Sequence, residues 1–512
     1  MNFNKKLAVA VSSAVLLMAG QFALADSATD IVDALVSKGV LTEEEGKLIT
    51  KGHTSKVSVT PVVKEKDGAF TLESANGRNS VSLTGRMHLD YRDIDGYQDG
   101  LGIDRDTQSF ADQFELRRAR LGVKGKFAND FKYEVVGNLP GTATIDVAFL
   151  DWAKFDAVQF RVGKFKQPFG LEQLTSSNNI ALMERSYVDQ TVPGKKLGVQ
   201  MMGSPKAGLT YAISTFQPQD TELNIAGGDR ASGAARGTIN FAELMGNKEA
   251  IMHVGLAGVD TEYSVGTSST SQTDASPSST QRGTISSFRT PSRGMNNIFR
   301  GQVTGTPCFG SPTVYGGCTS EYSASIKQRA LGLEGIYASG PFKLAGEYSS
   351  GVFKGTQGTN VVEYDTKTYY VEAGWFITGE KYASSYKNGV FSSFKPINEF
   401  DPDKNNWGAV EAIFRFEGYD VDNATVSGGR LQGNLNSYSS SNGKNENTVS
   451  GVESGAKTYT GGIRWILNTN VVLKGNFSYT KFDNAFAPID VAGATAIVKD
   501  EKVLSFRTQF MF

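Results

Sequence analysis

From about Ser80 to the last residue, apolar and polar side chains alternate with a period of two. Between Asn470 and Lys481, Val471, Leu473, Phe477 and Tyr479 share one face of an extended chain, and Lys474, Asn476, Ser478 and Thr480 share the other, because successive strand side chains point to opposite sides. The terminal run repeats the pattern, with Leu504, Phe506, Phe510 and Phe512 opposite Ser505, Arg507 and Gln509. Tyr369, Val371, Ala373 and Trp375 alternate with Thr368, Tyr370, Glu372 and Gly374. Val410, Ala412, Phe414 and Phe416 alternate less perfectly with Glu411, Ile413 and Arg415. Such runs predict strands beginning near Ser80, Gln113, Asp130, Thr144, Ala157, Leu197, Ala207, Ala234, Ala250, Gln328, Pro341, Tyr364, Trp407, Thr458, Asn470 and Lys502, sixteen in all.

Upstream the period is helical. Ile31 with Leu35, and Val32 with Val36, stand at i, i+4 spacing, and Gly39 is placed as a helix stop. Thr42-Glu43-Glu44-Glu45 then reads as a capping box leading into a second short helix through Leu48 and Ile49. These helices are too small for a domain. Two readings stay open, a frayed tail and a periplasmic oligomerisation or anchoring segment.

An alternating strand suits a soluble sandwich, apolar face in, or a transmembrane barrel, apolar face toward lipid. Three features favour the barrel. The runs reach ~10–13 residues, longer than ordinary strands and suited to a tilted span of ~9–11. Positions on the polar face carry full charges, among them Arg118, Arg120, Lys124, Arg415 and Lys474, and tight connections alternate with long ones. Phe512 ends an amphipathic strand, as in bacterial outer-membrane barrels, and closure satisfies every backbone group in lipid. The expected fold is all-β: a transmembrane antiparallel β-barrel of about sixteen strands preceded by a short periplasmic helical segment.

Composition narrows the function. Among 512 residues, 52 Lys+Arg against 53 Asp+Glu leave a net charge of −1, which argues against a nucleic-acid partner. Three His and two Cys leave almost no ligands for a metal or haem, so no cofactor is expected. A content of 39% hydrophobic residues with 57 Gly, 31 Phe and 19 Tyr fits a chain in which only one face of each strand meets lipid. Met1 to Ala25 has the parts of a secretory signal: Lys5 and Lys6, an apolar stretch from Leu7 to Met18, and Ala23-Leu24-Ala25 as the cleavage site. No later run offers the ~20 apolar residues of a membrane helix. The expected division is a signal peptide at 1–25, a periplasmic helical segment and linker at 26–79, and a barrel at 80–512, in the bacterial outer membrane and in contact with its lipid.

Short turns at Ala128-Asn129-Asp130, Phe155-Asp156-Ala157, Ser204-Pro205-Lys206, Ser339-Gly340-Pro341 and Leu467-Asn468-Thr469 would face the periplasm. Three long connections, Asp260 to Lys327, Gly379 to Asn406 and Asn423 to Lys457, would face outward. Cys308 and Cys318, in the longest of these, are expected to form a small local disulfide in an oxidising compartment. The rhythm breaks between Val162 and Lys196, where Lys166-Gln167-Pro168-Phe169-Gly170-Leu171-Glu172-Gln173-Leu174-Thr175-Ser176-Ser177 and Met183-Glu184-Arg185-Ser186 mix apolar, hydroxyl and charged residues. Such a segment after a barrel strand is expected to fold inward and narrow the lumen.

Several stretches taken together resemble the phosphate-selective porin O and P family: Gly85-Arg86, Leu116-Arg117-Arg118-Ala119-Arg120-Leu121, Phe131-Lys132-Tyr133-Glu134, Val162-Gly163-Lys164-Phe165, Phe169-Gly170-Leu171-Glu172, Thr175-Ser176-Ser177, Glu184-Arg185 and Gly374-Trp375-Phe376-Ile377-Thr378-Gly379-Glu380. The resemblance implies a sixteen-stranded homotrimeric outer-membrane channel for phosphate or other small anions, constricted by an inward loop. It places Arg86, Arg117, Arg118, Lys132, Asp146, Ser176 and Ser177 at the family's anion-binding positions, and Arg120 joins them as a pore-lining residue on the face of Arg118. Guanidinium, ammonium and hydroxyl groups can replace the hydration shell of a phosphate, and a narrow charged lumen selects by sign. By the period of two, Arg117 and Arg118 are not both expected to point inward. The chain departs from the family in two respects. Gln173 stands where phosphate-selective members carry lysine, and Arg282, Arg289, Arg293 and Arg300 are scattered where they carry a dense arginine ladder. A weakly selective general porin for small organic solutes and a non-conducting surface or adhesin barrel are the competing readings. A barrel hydrolase would need His88 or His253 beside a nucleophile, and no such constellation is assembled in the sequence, so no enzyme is expected.

Overall fold

A computed structural model describes residues 32, 35–38, 40–49, 60–66, 69–95, 112–218, 232–265, 282–304, 324–436, 444–445, 449–486 and 498–512. The expected signal peptide and Cys308 and Cys318 lie outside these residues. The chain forms two compact units, one of residues 1–82 with 125–129 and one of 83–124 with 130–512.

In the first unit, the capping box forms as the sequence predicts. The Thr42 hydroxyl accepts from the Glu45 amide at 3.2 Å while Glu45 accepts from the Thr42 amide at 2.9 Å and hydroxyl at 2.8 Å. These donors hold the Glu45 carboxyl below its ordinary range. Val62–Lys66 pairs with Ala69–Glu73 as a hairpin, whose second strand pairs in turn with Ser80–Ser82.

The barrel has sixteen strands: β1 Ser80–Asp95, β2 Gln113–Phe127, β3 Phe131–Asn138, β4 Thr144–Trp152, β5 Gln159–Lys166, β6 Lys195–Lys206, β7 Leu209–Phe216, β8 Ser232–Asn240, β9 Ala250–Val265, β10 Ala324–Ser339, β11 Phe342–Gln357, β12 Asn360–Phe376, β13 Ala409–Ser427, β14 Val449–Ile466, β15 Val471–Phe486 and β16 Val498–Met511. Consecutive strands pair antiparallel, and β16 returns to β1 with Met511 opposite Arg86. Phe512 completes the seam. Its carbonyl accepts from Gly85 N at 2.9 Å, and its ring packs over Gly85, where a Cβ would meet it at 2.4 Å and displace it.

The outer face is apolar as the alternation predicts: Val371, Trp375, Phe414, Phe477, Leu504 and Phe506 are exposed there, while Glu372, Arg415, Lys474 and Arg507 are buried inside. The inner face departs from expectation. Its charge is densest in a middle zone. Toward the long loops, β10–β16 turn Ile326, Val362, Tyr364, Tyr419, Val421 and Val452 inward against Ile285, Phe288, Ile298, Phe299 and Val303. The latter come from a hairpin of Arg282–Phe288 and Phe299–Thr304 inside the stretch expected to be an irregular outer loop, paired in turn with Gly429–Gly433. Phe288 stacks on Tyr419 at 4.6 Å. Each such buried ring contributes roughly 1.5–3 kcal/mol, enough to hold the hairpin in place. The strands β9, β10, β13 and β14 reach into the expected loops accordingly.

A second correction concerns Gly379 to Asn406. Strand parity puts this connection at the end of the barrel that carries the short turns. Tyr382 N donates to Gly340 O at 3.1 Å and Phe400 N to Leu467 O at 2.7 Å, both in turns. The segment folds into the barrel mouth, packing Tyr382, Phe391 and Phe394 with Phe376, Ile251, Ile336 and Ile466. Length alone suggested an outer loop; the apolar residues within it find their partners inside the barrel instead.

Candidate functional site

The break in rhythm after β5 is an inward loop, Gln167 to Gly194, held across the lumen by the walls. Gly170 at φ 78 opens a single helical turn, Leu171–Leu174. The first amides of that turn, Leu171 N and Glu172 N, donate to Glu347 at 2.8 and 2.7 Å. Arg415 grips Glu172 at 2.6 Å. Lys474 donates to the carbonyls of Ile180 and Leu182 at 2.7 and 3.1 Å, Arg464 to Asn179 O at 3.0 Å, and Gln509 to Asn178 O at 3.0 Å. These strand side chains therefore bind loop backbone, which closes the β13–β16 side of the lumen.

Open space remains on the β1–β8 side. A cavity of about 1330 Å³ is bounded by the inward loop, these strands and the hairpin tip Lys387-Asn388 of the turn-end plug. Eleven cationic side chains and five carboxylates line it. Arg86 reaches the hydroxyls of Ser176 and Ser177 at 3.3 and 3.0 Å. Arg120 pairs with Asp146 at 3.0 Å, Lys195 binds the same carboxylate, and Arg161 holds Asp151 at 2.7 Å. Arg185 donates to the carbonyls of Glu172 and Thr175, both at 2.9 Å.

The family profile described as phosphate-selective porin O and P matches residues 81–282 and 318–512. The chain belongs to this family. The porin is 25% identical over 376 residues to Porin O of Pseudomonas aeruginosa, covering 71% of this chain and 78% of that one. Among solved structures it is similar to OmpT of Vibrio cholerae, at 9% identity and a TM-score of 0.46 over 88% of this chain and 100% of the other. It is also similar to an anion-selective porin from Comamonas acidovorans, at 12% identity and a TM-score of 0.44 over 85% and 100%. By its family and its closed sixteen-stranded fold, the porin is an outer-membrane β-barrel.

Eight residues singled out from the sequence, Arg86, Arg118, Arg120, Lys132, Asp146, Gln173, Ser176 and Ser177, line one cavity in the porin. Arg117 does not. It binds Glu184 of the inward loop at 2.9 Å. Arg118 binds Glu184 too, at 3.3 Å, so the expectation that only one of the two points inward fails. Leu116 faces out while Glu115 reaches Arg92 inside, and the alternation slips by one residue between 117 and 118, the phase change that a bulge produces. Glu184 also receives Arg507 at 2.7 Å and Arg92 at 3.6 Å. Burial alone would raise its pKa, but Arg118, Arg507 and Arg117 hold it well below the ordinary carboxylate range.

The scattered arginines of the long connection converge in part. Burial first, then Arg117, push Arg293 down to about 10, and Arg289 shares its field with Glu184. Both therefore stand near the Glu184 cluster. Lys166, Arg161, Arg185 and Lys195 also belong to the site and were not singled out beforehand. Their signal was position, since Lys166 and Lys195 close the strands that bracket the inward loop. His88 is buried against Asn178 and Arg118, and His253 against Tyr386 and Glu334.

Proposed function

We propose that the porin is a channel for diffusion of small anions such as phosphate across the outer membrane. It works in the lipid bilayer as a homotrimer, after export and removal of residues 1–25. The observation that carries this reading is the cavity beside the inward loop, where cations outnumber carboxylates about two to one and Arg86 stands on two serine hydroxyls, its hydrogen-bond partners among the described residues. Those hydroxyls accept from Arg86 and keep their own protons to donate to an oxyanion. Desolvated guanidinium and ammonium groups near a narrow path favour anions over cations, and Arg118, Arg120 and Lys132 extend that surface.

A general, weakly selective porin has its own support. Asp146 and Asp151 neutralise part of the cationic lining, and Gln173 brings no charge to the constriction. Planar-bilayer recording separates the two: an anion-selective reversal potential with block by inorganic phosphate supports the first reading, and a potential near zero without block supports the second. Absence of conductance would leave the adhesin barrel.

A further inference from the structure

We propose that Lys166 and Lys195, opposite each other at the root of the inward loop, form a lysine pair that sets the anion preference of the constriction. The inference rests on the channel reading above and adds to it the residues that supply the charge. Lys166 is the last residue of β5 and Lys195 the first of β6, and they are direct partners in the ladder. Like charges facing each other across a strand pair are destabilising, so such a pair needs compensation. Only part of it is present. Lys195 binds Asp146, but Asp146 is shared with Arg120 at 3.0 Å, one carboxylate for two cations. Lys166 donates to the carbonyls of Leu174 and Thr175 at 3.1 and 3.0 Å, dipoles that orient its ammonium without cancelling its charge. No carboxylate among the described residues lies within ion-pair distance of Lys166.

Both lysines line the same cavity as Arg86, Ser176 and Ser177, and among the described residues no carboxylate pairs with Arg86. Gln173 lines the same cavity and lies beside the residue that precedes Lys195: a Cβ on Gly194 would stand 3.6 Å from the Gln173 amide nitrogen. The barrel wall therefore adds two cations beside the one the loop brings, Arg185, which shares the Thr175 carbonyl with Lys166. A small oxyanion held by Arg86 and the two serines on the loop is offered a second cationic contact by the wall. An ammonium has three N–H donors, and the two loop carbonyls leave one on Lys166 for that contact.

The test is reversal potential in a potassium chloride gradient, with block by inorganic phosphate, for the wild-type porin, Lys166→Gln, Lys195→Gln, Lys166→Arg and the double variant Lys166→Gln/Gln173→Lys. Heat-modifiable migration on gels checks that each barrel folds. Loss of either lysine should lower the anion-over-cation permeability ratio roughly threefold or more, as expected for one charge removed from a low-dielectric constriction. Lys166→Arg should keep the wild-type ratio. The double variant should regain most of it by restoring charge at the neighbouring position, which a purely structural role for Lys166 would not allow. An anion-selective wild type whose ratio is unchanged by folded Lys166→Gln and Lys195→Gln would overturn the lysine pair and leave the channel reading standing. A wild type without anion preference would overturn the channel reading itself.

Discussion

Glu184 illustrates why an arginine in the lumen wall does not by itself make an anion site. Its carboxylate binds Arg117, Arg118 and Arg507, so those guanidinium groups serve first to fasten the inward loop. Removing one partner from a buried charge cluster costs about 3–5 kcal/mol. Glu184→Gln is therefore expected to lower the unfolding midpoint of the barrel in denaturant; an unchanged midpoint would show that the cluster does not fasten the loop. The pH dependence follows from the depressed pKa. A carboxylate of this kind contributes stability above its unfolded pKa of about 4.3 and loses it only as pH falls through the lower folded value. Open-channel noise should stay flat from pH 7 down to about pH 4, and a rise within that window would contradict the assignment. Arg86 has no carboxylate partner among the described residues and so makes the contrasting case: Arg86→Ala should weaken phosphate block several-fold, with Arg117→Ala changing it far less, since Arg117 lies outside the cavity lining.

At the level of elements, the strands were legible because each outward face is apolar and each middle inward face polar. All sixteen expected strands exist, and the seam at Phe512 follows the terminal pattern. Three elements were not legible, for distinct physical reasons. The loop-end extensions of β10, β13 and β14 carry apolar side chains on the inward face as well, such as Ile326, Val421 and Val452, so alternation fades there. The hairpin of Arg282–Phe288 and Phe299–Thr304 is short and stabilised by distant rings, which leaves no local signal. Gly379 to Asn406 is long but lies at the turn end, and its inward placement depends on Tyr382 and Phe394 meeting Phe376 across the chain, with Phe391 packed on both. Of the site, what the sequence marked was the inward loop and eight of the residues that line the cavity. It could not show the slip at Arg117 and Arg118 or the partners that neutralise them. The plug hairpin makes its own prediction. The tip Lys387-Asn388 borders the cavity, and Gly389 O accepts from Arg236 at 2.8 Å, so excising Tyr386–Phe391 should raise single-channel conductance. Conductance equal to that of the wild type would put the hairpin outside the ion path.

For the whole molecule, a net charge of −1 coexists with a cavity whose lining carries eleven cations and five carboxylates. The sum says nothing of the distribution, because the pathway occupies one side of the lumen and other charges pair away from it, as Arg329 does with Asp260 on the outer face and Arg415 with Glu172 and Glu372 inside. Selectivity should therefore respond to charge in the cavity and be indifferent to charge elsewhere: Arg86→Glu should move the reversal potential strongly toward cations, and Arg329→Glu should not move it. The most direct test of the account is the zero-current reversal potential of the purified wild-type porin in a planar bilayer under a potassium chloride gradient. The cationic cavity predicts a potential of the sign set by chloride, reduced in current by added inorganic phosphate. A potential of the sign set by potassium would contradict it.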